Sequence, residues 1–215
     1  LWVGRQMGNA AYYLDWEHRN VALQNLRIAF GGEKSQKEMR SIAKRSLQNV
    51  GMVVMEFFRI PGMDQETYER KVSVDGLEEA LKLLEKKKGG LLLIGHFGNW
   101  ELMGFMAKVI GHPILAIAKP LRQKRINQWV IEIRKKAGLE IIPPDDGRRK
   151  VLTALSQNKL VAILVDQRAK RSRGVWVDFF GKRAPTATGL AFLALRTGAP
   201  VVPAFMIRNG FRNHR

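Results

Sequence analysis

A histidine and a carboxylate lie five residues apart in the segment GHFGNWEL, which spans residues 95–102 and directly follows the apolar run LLLI. A neutral imidazole can take a proton from an alcohol while a carboxylate orients the ring and stabilises the imidazolium that forms. His96 and Glu101 are therefore candidates for a general base and its orienting partner. The reaction that such a pair serves is the activation of a hydroxyl group.

The residues around His96 are predicted to form a strand-to-helix junction. GLLLIG has the composition of a buried strand, and Asn99 suits the N-cap of the helix that follows. Glu101 then lies in the first helical turn, where the helix dipole favours a carboxylate. A tight bend at Gly98 would bring the two side chains together. Spacing alone leaves a second interpretation open, in which His96 bonds to the backbone and Glu101 serves only the helix terminus.

A second polar cluster follows the apolar run LVAIL, in the segment LVAILVDQRAKRSRG at residues 160–174. Asp166 and Gln167 end this strand, and Arg168 opens a loop that also contains Lys170, Arg171 and Arg173. Because strand ends of an α/β sheet meet at one edge, we expect this cluster at the same crevice as His96, where its basic loop would hold a phosphate or another anion. A solvated charged loop is the competing interpretation.

Other chemistries lack their motifs in this chain. There is no cysteine, which excludes thiol catalysis, disulfides and thiolate metal sites. No serine occupies a G-x-S-x-G elbow, and no G-x-G-x-x-G follows a strand. The four histidines are scattered along the chain, so neither a metal nor a cofactor is predicted.

The composition is that of a folded domain with an unusually basic surface. The 215 residues are 46% hydrophobic, which is enough for a sizeable core. Thirty-seven Lys and Arg against nineteen Asp and Glu give a net charge of +18, which favours anionic partners such as nucleic acid, anionic membranes, phosphorylated substrates or acidic proteins. No apolar run reaches the length of a membrane span.

Two patterns divide the chain. Residues 1–62 are predicted to be a helical extension, with a capping box at Ser35 and Glu38 before a long amphipathic helix. Residues 70–215 alternate short apolar strands with amphipathic helices, which predicts an α/β core with a mostly parallel central sheet flanked by helices. Thr186 or Thr188 is expected to cap the last helix and to offer a contact for an anion or a hydroxyl. We expect one domain over 1–215, within a longer protein.

Taken together, these segments resemble the bacterial lipid A biosynthesis acyltransferases, the lauroyl/myristoyl transferase family. GHFGNWEL is similar to the family's H-x-x-x-x-[DE] block, and KPLRQKRINQWVIEIRKKAG resembles its "RP … R-x-x-x-G" block. Further matching blocks, in the family's order, are NVALQNLRIAF, LVDQ with GVWVDFFGKRAPTATG, and TGAPVVPAF.

The resemblance implies direct transfer of a fatty acyl chain from acyl carrier protein to a hydroxyl of a lipid A precursor or a related membrane glycolipid. His96 would be the general base and Glu101 its orienting partner, without an acyl-enzyme, a metal or a cofactor. It also implies a location at the cytoplasmic face of the bacterial inner membrane, with the membrane anchor outside this chain. The expected substrate-binding residues are Asn99, Lys119, Arg134, Asp166, Gln167, Arg168, Gly181 and Thr188.

The sequence leaves alternatives open. Lys119 stands where the family usually has arginine, which puts bidentate anion binding there in doubt. An acyl-CoA donor and another acceptor, such as a phosphatidylinositol mannoside, are open. A basic non-catalytic module that binds membrane or nucleic acid is the rival of another class, although no nucleic-acid-binding motif occurs. Five apolar residues near the His96 motif are expected to line an acyl groove or to be ordinary core: Phe97, Trp100, Met103, Phe105 and Met106.

Overall fold

Helices come first along the chain, and strands and helices then alternate. The computed structural model describes residues 1–144, 147–170 and 174–215. The described residues form two compact units, Leu1–Phe58 with Trp176–Pro185 and Arg59–Val175 with Thr186–Arg215. Arg171 and Arg173 of the predicted basic loop lie outside the described residues.

The first unit contains the predicted N-terminal helices, α1 (Trp2–Leu14), α2 (Trp16–Phe30) and α3 (Gln36–Phe57). Helix α3 begins at the predicted capping box: Glu38 N donates to Ser35 Oγ at 3.3 Å, and Ser35 N donates to Glu38 Oε2 at 2.8 Å. Helices α1 and α3 touch through backbone at Gly4 and Gly51, where a Cβ would overlap the opposite helix. The helical N-terminal region is therefore confirmed.

The strands β5 (Gly174–Phe179) and β6 (Lys182–Ala187) form a two-stranded sheet. Its turn end, Trp176–Pro185, belongs to the first unit. Its turn contains Phe180 and Gly181, both with positive φ. Edge-to-face packing joins the ring of Phe180 to that of Phe30 on α2, with 5.5 Å between centroids.

The second unit is built on a five-stranded sheet in which every pairing is parallel. The strand order is β3-β2-β4-β1-β7. This confirms the predicted α/β class with a parallel central sheet. The strands are β1 (Gly90–Ile94), β2 (Ile114–Ile117), β3 (Leu139–Ile142), β4 (Leu160–Leu164) and β7 (Val201–Pro203).

Helices connect and cover these strands. They are α4 (Gln65–Glu69), α5 (Leu77–Lys82), α6 (Trp100–Met103), α7 (Met106–Val109), α8 (Lys124–Lys136), α9 (Gly147–Ser156) and α10 (Gly189–Thr197), with 3₁₀ turns at Ile60–Gly62 and Leu83–Lys86. A short antiparallel pair, β8 (Arg208–Asn209) and β9 (Asn213–His214), ends the described chain.

Two predicted elements differ in the structure. The segment KVSVDG was expected to be a strand, but only Val72 pairs, through an isolated bridge to His214. The predicted helix NWELMGFMAKVI is instead two short helices, α6 and α7. It breaks at Gly104, where the backbone closes a 3₁₀ bond to the Glu101 carbonyl and lies against Leu139.

The two faces of the sheet differ in packing. One face carries Leu91, Leu115 and Val161, each at most 2% exposed, and forms a closed core with residues of α9 and α10. The opposite face carries Leu92, Ala116 and Ala162. This second face lies below α5, α6 and α8 and lines a large cavity.

Gly98 fixes the turn that follows β1. Its φ is +60°, and it bridges to Met206, so a Cβ at this position would overlap the Met206 carbonyl oxygen. The predicted tight bend is therefore present, and its glycine is required by both conformation and space. Asn99 N then donates to the same carbonyl at 3.4 Å, and α6 begins at the next residue.

No helix in the described part of the chain combines the length and the hydropathy that crossing a bilayer demands.

We predict that Gly98→Ala lowers the free energy of unfolding by about 3–5 kcal/mol, because the added methyl group displaces the backbone of Met206. Gly111→Ala is the matched control. Gly111 has φ +61°, but no atom lies within 4 Å of the place that its Cβ would take, so only the backbone cost of about 1–2 kcal/mol applies. Urea denaturation of both variants measures the difference. Equal losses would show that the approach to Met206 does not constrain residue 98.

Candidate active site

His96 lies just beyond the carboxyl end of β1, and Asp166 lies just beyond the end of the neighbouring strand β4. Asp166 Oδ1 is 2.8 Å from His96 Nδ1, and Asp166 Oδ2 accepts the backbone N–H of His96 at 2.6 Å. Gly95 allows this approach, since a Cβ there would lie 3.3 Å from Asp166 Oδ2. One carboxylate therefore holds both the ring and the backbone of the histidine.

This contact determines which ring nitrogen carries the proton. A carboxylate only accepts hydrogen bonds, so Nδ1 is the protonated nitrogen and Nε2 carries the free lone pair. Gln167 Nε2 lies 3.3 Å from His96 Nε2. An amide donor at that distance makes a long and weak bond that an incoming hydroxyl can replace. The ring also packs edge-on against Trp100, with 5.2 Å between centroids.

Glu101 is hydrogen-bonded to Arg134 and not to His96. Arg134 of α8 forms a bidentate pair with Glu101, through Nη2 to Oε1 at 2.6 Å and Nε to Oε2 at 3.1 Å. The side chains of Glu101 and Arg134 are 15% and 23% exposed, so the pair is largely removed from water. The first turn of α6 directs the Glu101 carboxylate to α8, and the carboxylate that contacts the ring in this structure is Asp166. The orienting role of Glu101 stays a prediction.

The histidine stands at one end of a cavity of about 1220 Å³ in the second unit. His96, Glu101, Lys119, Arg134 and Gln167 all contribute to its wall. Most of the remaining wall is aliphatic or aromatic and comes from the open face of the sheet and from the covering helices. Three of the five residues expected near an acyl groove line it: Trp100, Met103 and Met106.

The other two expected groove residues have different surroundings. Phe105 is buried and stacks on Tyr68, with 5.0 Å between the ring centroids. Phe97 is exposed and meets Phe205 edge-to-face at 6.4 Å. Tyr68 also borders the cavity, and burial of its hydroxyl raises the pKa of that tyrosine.

The predicted substrate-binding residues do not all meet at this site. Asn99 is fully buried and its Oδ1 accepts the Leu102 N–H at 3.0 Å, which confirms the predicted N-cap of α6. Arg168 is exposed near the end of β4 and is not part of the cavity wall. Thr188 occupies the N-cap position of α10 without a side-chain cap bond, and Gly181 belongs to the first unit, in the β5–β6 turn.

The described residues contain no cluster of three or more histidines and carboxylates arranged to hold a metal ion. The side chains named above provide the chemical groups at the cavity. They comprise an imidazole whose Nε2 accepts a long bond from Gln167, a carboxylate that fixes the imidazole, and an adjacent apolar space.

Sequence reasoning placed Asp166 near His96 but gave it a substrate-binding role. The signal that could have revealed its contact is positional. His96 lies two residues after the last residue of β1, and Asp166 lies two residues after the last residue of β4. In a parallel sheet with these strands adjacent, equal offsets bring the two side chains to the same level.

Comparison with known proteins identifies related chains. The profile of the family described as "Bacterial lipid A biosynthesis acyltransferase" matches residues 2–214. The chain is 31% identical over 163 residues to a phosphatidylinositol mannoside acyltransferase of Mycobacterium tuberculosis (strain CDC 1551 / Oshkosh), with 74% of this chain and 52% of that protein aligned.

Two further relatives extend the comparison. A phosphatidylinositol mannoside acyltransferase of Mycolicibacterium smegmatis is 28% identical over 166 residues, which cover 75% of this chain and 54% of that protein. A lipid A biosynthesis lauroyltransferase of Escherichia coli (strain K12) is 25% identical over 203 residues, which cover 94% and 65%. The chain spans about half the length of the mycobacterial relatives it matches.

We predict that Glu101 and Arg134 stabilise the fold jointly. In a double-mutant cycle with Glu101→Gln and Arg134→Gln, we expect a coupling energy of about 1–2 kcal/mol, because the pair is bidentate and mostly buried. The exposed pair Glu132–Lys135 on the same helix is the control and should couple by less than about 0.5 kcal/mol. Denaturant unfolding provides both values, and equal coupling in the two cycles would contradict the structural role given to Glu101.

We also predict the tautomer of His96. In the neutral ring, the ¹⁵N resonances should report a protonated Nδ1 and an unprotonated Nε2. Asp166→Ala removes the acceptor, so the Nε2–H form should gain population. An unchanged tautomer in Asp166→Ala, with a folded spectrum, would mean that Asp166 does not fix the ring.

Proposed function

The chain belongs to the bacterial lipid A biosynthesis acyltransferase family, and on this premise we propose that it transfers a fatty acyl chain from a carrier thioester to a hydroxyl of a membrane glycolipid. One observation carries the proposal: an imidazole held by a carboxylate, whose Nε2 makes only a long bond to Gln167, lines a large apolar cavity. The imidazole suits deprotonation of an alcohol, and the cavity suits a hydrocarbon chain.

In the proposed reaction, His96 Nε2 takes the proton of the acceptor hydroxyl while its oxygen attacks the thioester carbonyl carbon. The tetrahedral intermediate collapses, the carbon–sulfur bond breaks, and the imidazolium returns the proton to the departing sulfur. The products are an ester and a free thiol, and the histidine ends in its initial state. No acyl-enzyme is required, which agrees with a chain that has no cysteine and no serine elbow.

Asp166 is proposed as the residue that orients His96 in this reaction. Its carboxylate lies within 2.8 Å of the ring nitrogen opposite the reacting one, so it stabilises the imidazolium as positive charge develops. Its second bond, to the His96 backbone, fixes the direction of the ring. Glu101 then acts one step further away, by tying α6 to α8 through Arg134 beside the cavity mouth.

The acyl chain of the donor is proposed to lie in the cavity. Transfer of each methylene from water to an apolar site is worth about 0.8 kcal/mol, so a long chain gains several kcal/mol by leaving the aqueous phase. Trp100, Met103 and Met106 provide part of this apolar wall. Exposed Leu121 and Phe205 carry the apolar surface outward to the rim.

Charge supports an anionic donor and an anionic acceptor. The net charge of +18 favours an acidic acyl carrier protein, which we propose as the donor, with acyl-CoA as the alternative. Both donors carry a phosphate on the pantetheine arm, and Lys119 is exposed at the cavity mouth to meet one. A lysine binds such a phosphate as a point charge rather than through a planar fork.

Two acceptors are candidates. A lipid A precursor is the acceptor that the family description indicates. The higher identity to phosphatidylinositol mannoside acyltransferases, 28–31% against 25% for the lauroyltransferase, favours a mannosylated phospholipid as the second candidate. Both are anionic membrane lipids with free sugar hydroxyls, so the proposed site is the cytoplasmic surface of the inner membrane. No nucleic-acid partner is proposed.

We predict that His96→Ala lowers kcat for acyl transfer by about 10²–10⁴-fold, because the general base is lost. Asp166→Asn should lower kcat by about 10²-fold or more with little change in KM, since it removes the orienting negative charge while keeping the shape. The measurement is thioester consumption by the full-length protein, with circular dichroism to verify folding. Full activity of His96→Ala would refute the mechanism.

The roles of the two carboxylates are separated by Glu101→Gln. We expect the apparent kcat of this variant to fall only as far as its lowered Tm reduces the folded fraction, because Glu101 holds α6 in place. Activity should therefore be partly restored at lower temperature. Asp166→Asn should show no such rescue. The opposite pattern, with a temperature-independent loss only in Glu101→Gln, would return the orienting role to Glu101.

The substrate assignment is tested by a matrix of two donors and two acceptors. Acyl carrier protein and CoA thioesters of the same chain length are each offered with a lipid A precursor and with a phosphatidylinositol mannoside. We expect transfer from acyl carrier protein to at least one glycolipid, at a rate that falls with added salt. Salt-sensitive binding of DNA without transfer in any combination would favour the non-catalytic alternative.

A further inference from the structure

The floor of the cavity has a regular arrangement of large and small side chains. Strand register places Ile141, Ala116, Ala162, Leu92 and Val202 in one row across the sheet, from β3 through to β7. The two alanines lie side by side on β2 and β4, with larger residues on both flanks. At this row the floor therefore has a shallow trough, two strands wide. In the next row toward His96, Ala118 follows on the β2 side and Leu164 lies on β4, so the trough continues along β2.

The trough is closed at its deep end. Two residues toward the amino ends of the same strands, the next row contains Leu139, Ile114 and Leu160. Ile114 and Leu160 are 4% and 6% exposed and belong to one packed cluster. Gly104 of the covering segment lies against Leu139, since a Cβ there would be 2.7 Å from Leu139 Cδ1. The covering segment at Gly104 therefore touches the sheet at the row of Leu139.

From these positions we propose that the acyl chain runs along the β2 side of the sheet over Ala116 and Ala162, and that Ile114 and Leu160 stop it. This inference rests on the proposed function, and it assigns the residues that set chain length. Alanines at the middle row leave room for methylenes, whereas the branched side chains of the deep row fill the same space. His96 and Asp166 define the opposite end, where the thioester carbonyl must lie.

The strand geometry gives the length of the site. Asp166 is six residues beyond Leu160, and a parallel strand rises about 3.3 Å per residue, which gives about 20 Å from the reacting end to the deep row. An extended alkyl chain advances about 1.25 Å per carbon, from single bonds near 1.5 Å and tetrahedral angles. The site therefore accommodates about 16 carbons. Ala162 is four residues from Asp166, or about 13 Å, which corresponds to about 10 carbons.

The test uses the full-length protein and saturated acyl donors of 10 to 18 carbons. For the wild type we expect kcat/KM to be greatest near 16 carbons. Ala162→Leu fills the trough and should move the optimum to about 10–12 carbons, with the ratio of 16-carbon to 12-carbon rates lowered by about 250-fold. Each methylene that finds no room in the cavity lowers the rate by about fourfold. Leu160→Ala opens the deep row and should raise the relative rate with 18 carbons.

Ratios between donors within one variant are independent of the fraction of protein that is folded. Val202→Leu adds the same kind of bulk to the same row on the β7 side. If it shortens the preferred chain and Ala162→Leu does not, the chain lies over β1 and β7 and the assignment is wrong. Unchanged profiles in both Ala162→Leu and Leu160→Ala would also overturn it, while transfer itself persists and the proposed function stands.

A second readout separates the two proposals when transfer is not observed with any donor. Free fatty acids of 10 to 18 carbons can be titrated by calorimetry into the wild type and into Ala162→Leu. Loss of transfer together with a binding optimum near 16 carbons, shortened in Ala162→Leu, would reject the proposed reaction but keep the chain-length site. Binding that does not depend on chain length would reject the site.

Discussion

The two hydrogen bonds between Asp166 and His96 depend on β1 and β4 being neighbours in a parallel sheet. Each residue lies two positions beyond the end of its strand, and the register Ile94↔Leu164 brings them to one level. Gly95 leaves room for the carboxylate, and Gly98 turns the chain sharply before α6. Strand order, register and two glycines thus combine to fix one imidazole at the edge of the sheet.

The same sheet has to be stable on one face and open on the other. Leu91, Leu115 and Val161 pack against α9 and α10, and this face supplies a continuous core. The opposite face has alanines at its centre and a large cavity under its covering helices. A cavity lined by apolar groups loses packing contacts and therefore costs stability. The closed face, together with the Glu101–Arg134 pair that joins two of the covering helices, offsets that cost.

Local sequence signals predicted much of this fold. The capping box at Ser35, the N-cap at Asn99 and the bend at Gly98 act within a few residues, so the sequence displays them directly. The alternation of apolar strands with helices indicated a parallel sheet, but it carries no information on which strands are adjacent. Asp166 is 70 residues from His96, and the bond between them follows only from the strand order. Spacing along the chain therefore indicates the nearer carboxylate, Glu101, as the partner of His96.

Separation of the two carboxylates has a chemical consequence. Two unpaired carboxylates beside one imidazole would strongly favour its charged form, which cannot act as a base, and would repel an anionic lipid. Arg134 neutralises Glu101 through two hydrogen bonds, and Lys119 adds positive charge at the mouth. Asp166 is then the carboxylate that contacts the imidazole, through Oδ1 to Nδ1. The arrangement thus places one carboxylate against the imidazole, and neutralises the other, in a chain with a net charge of +18.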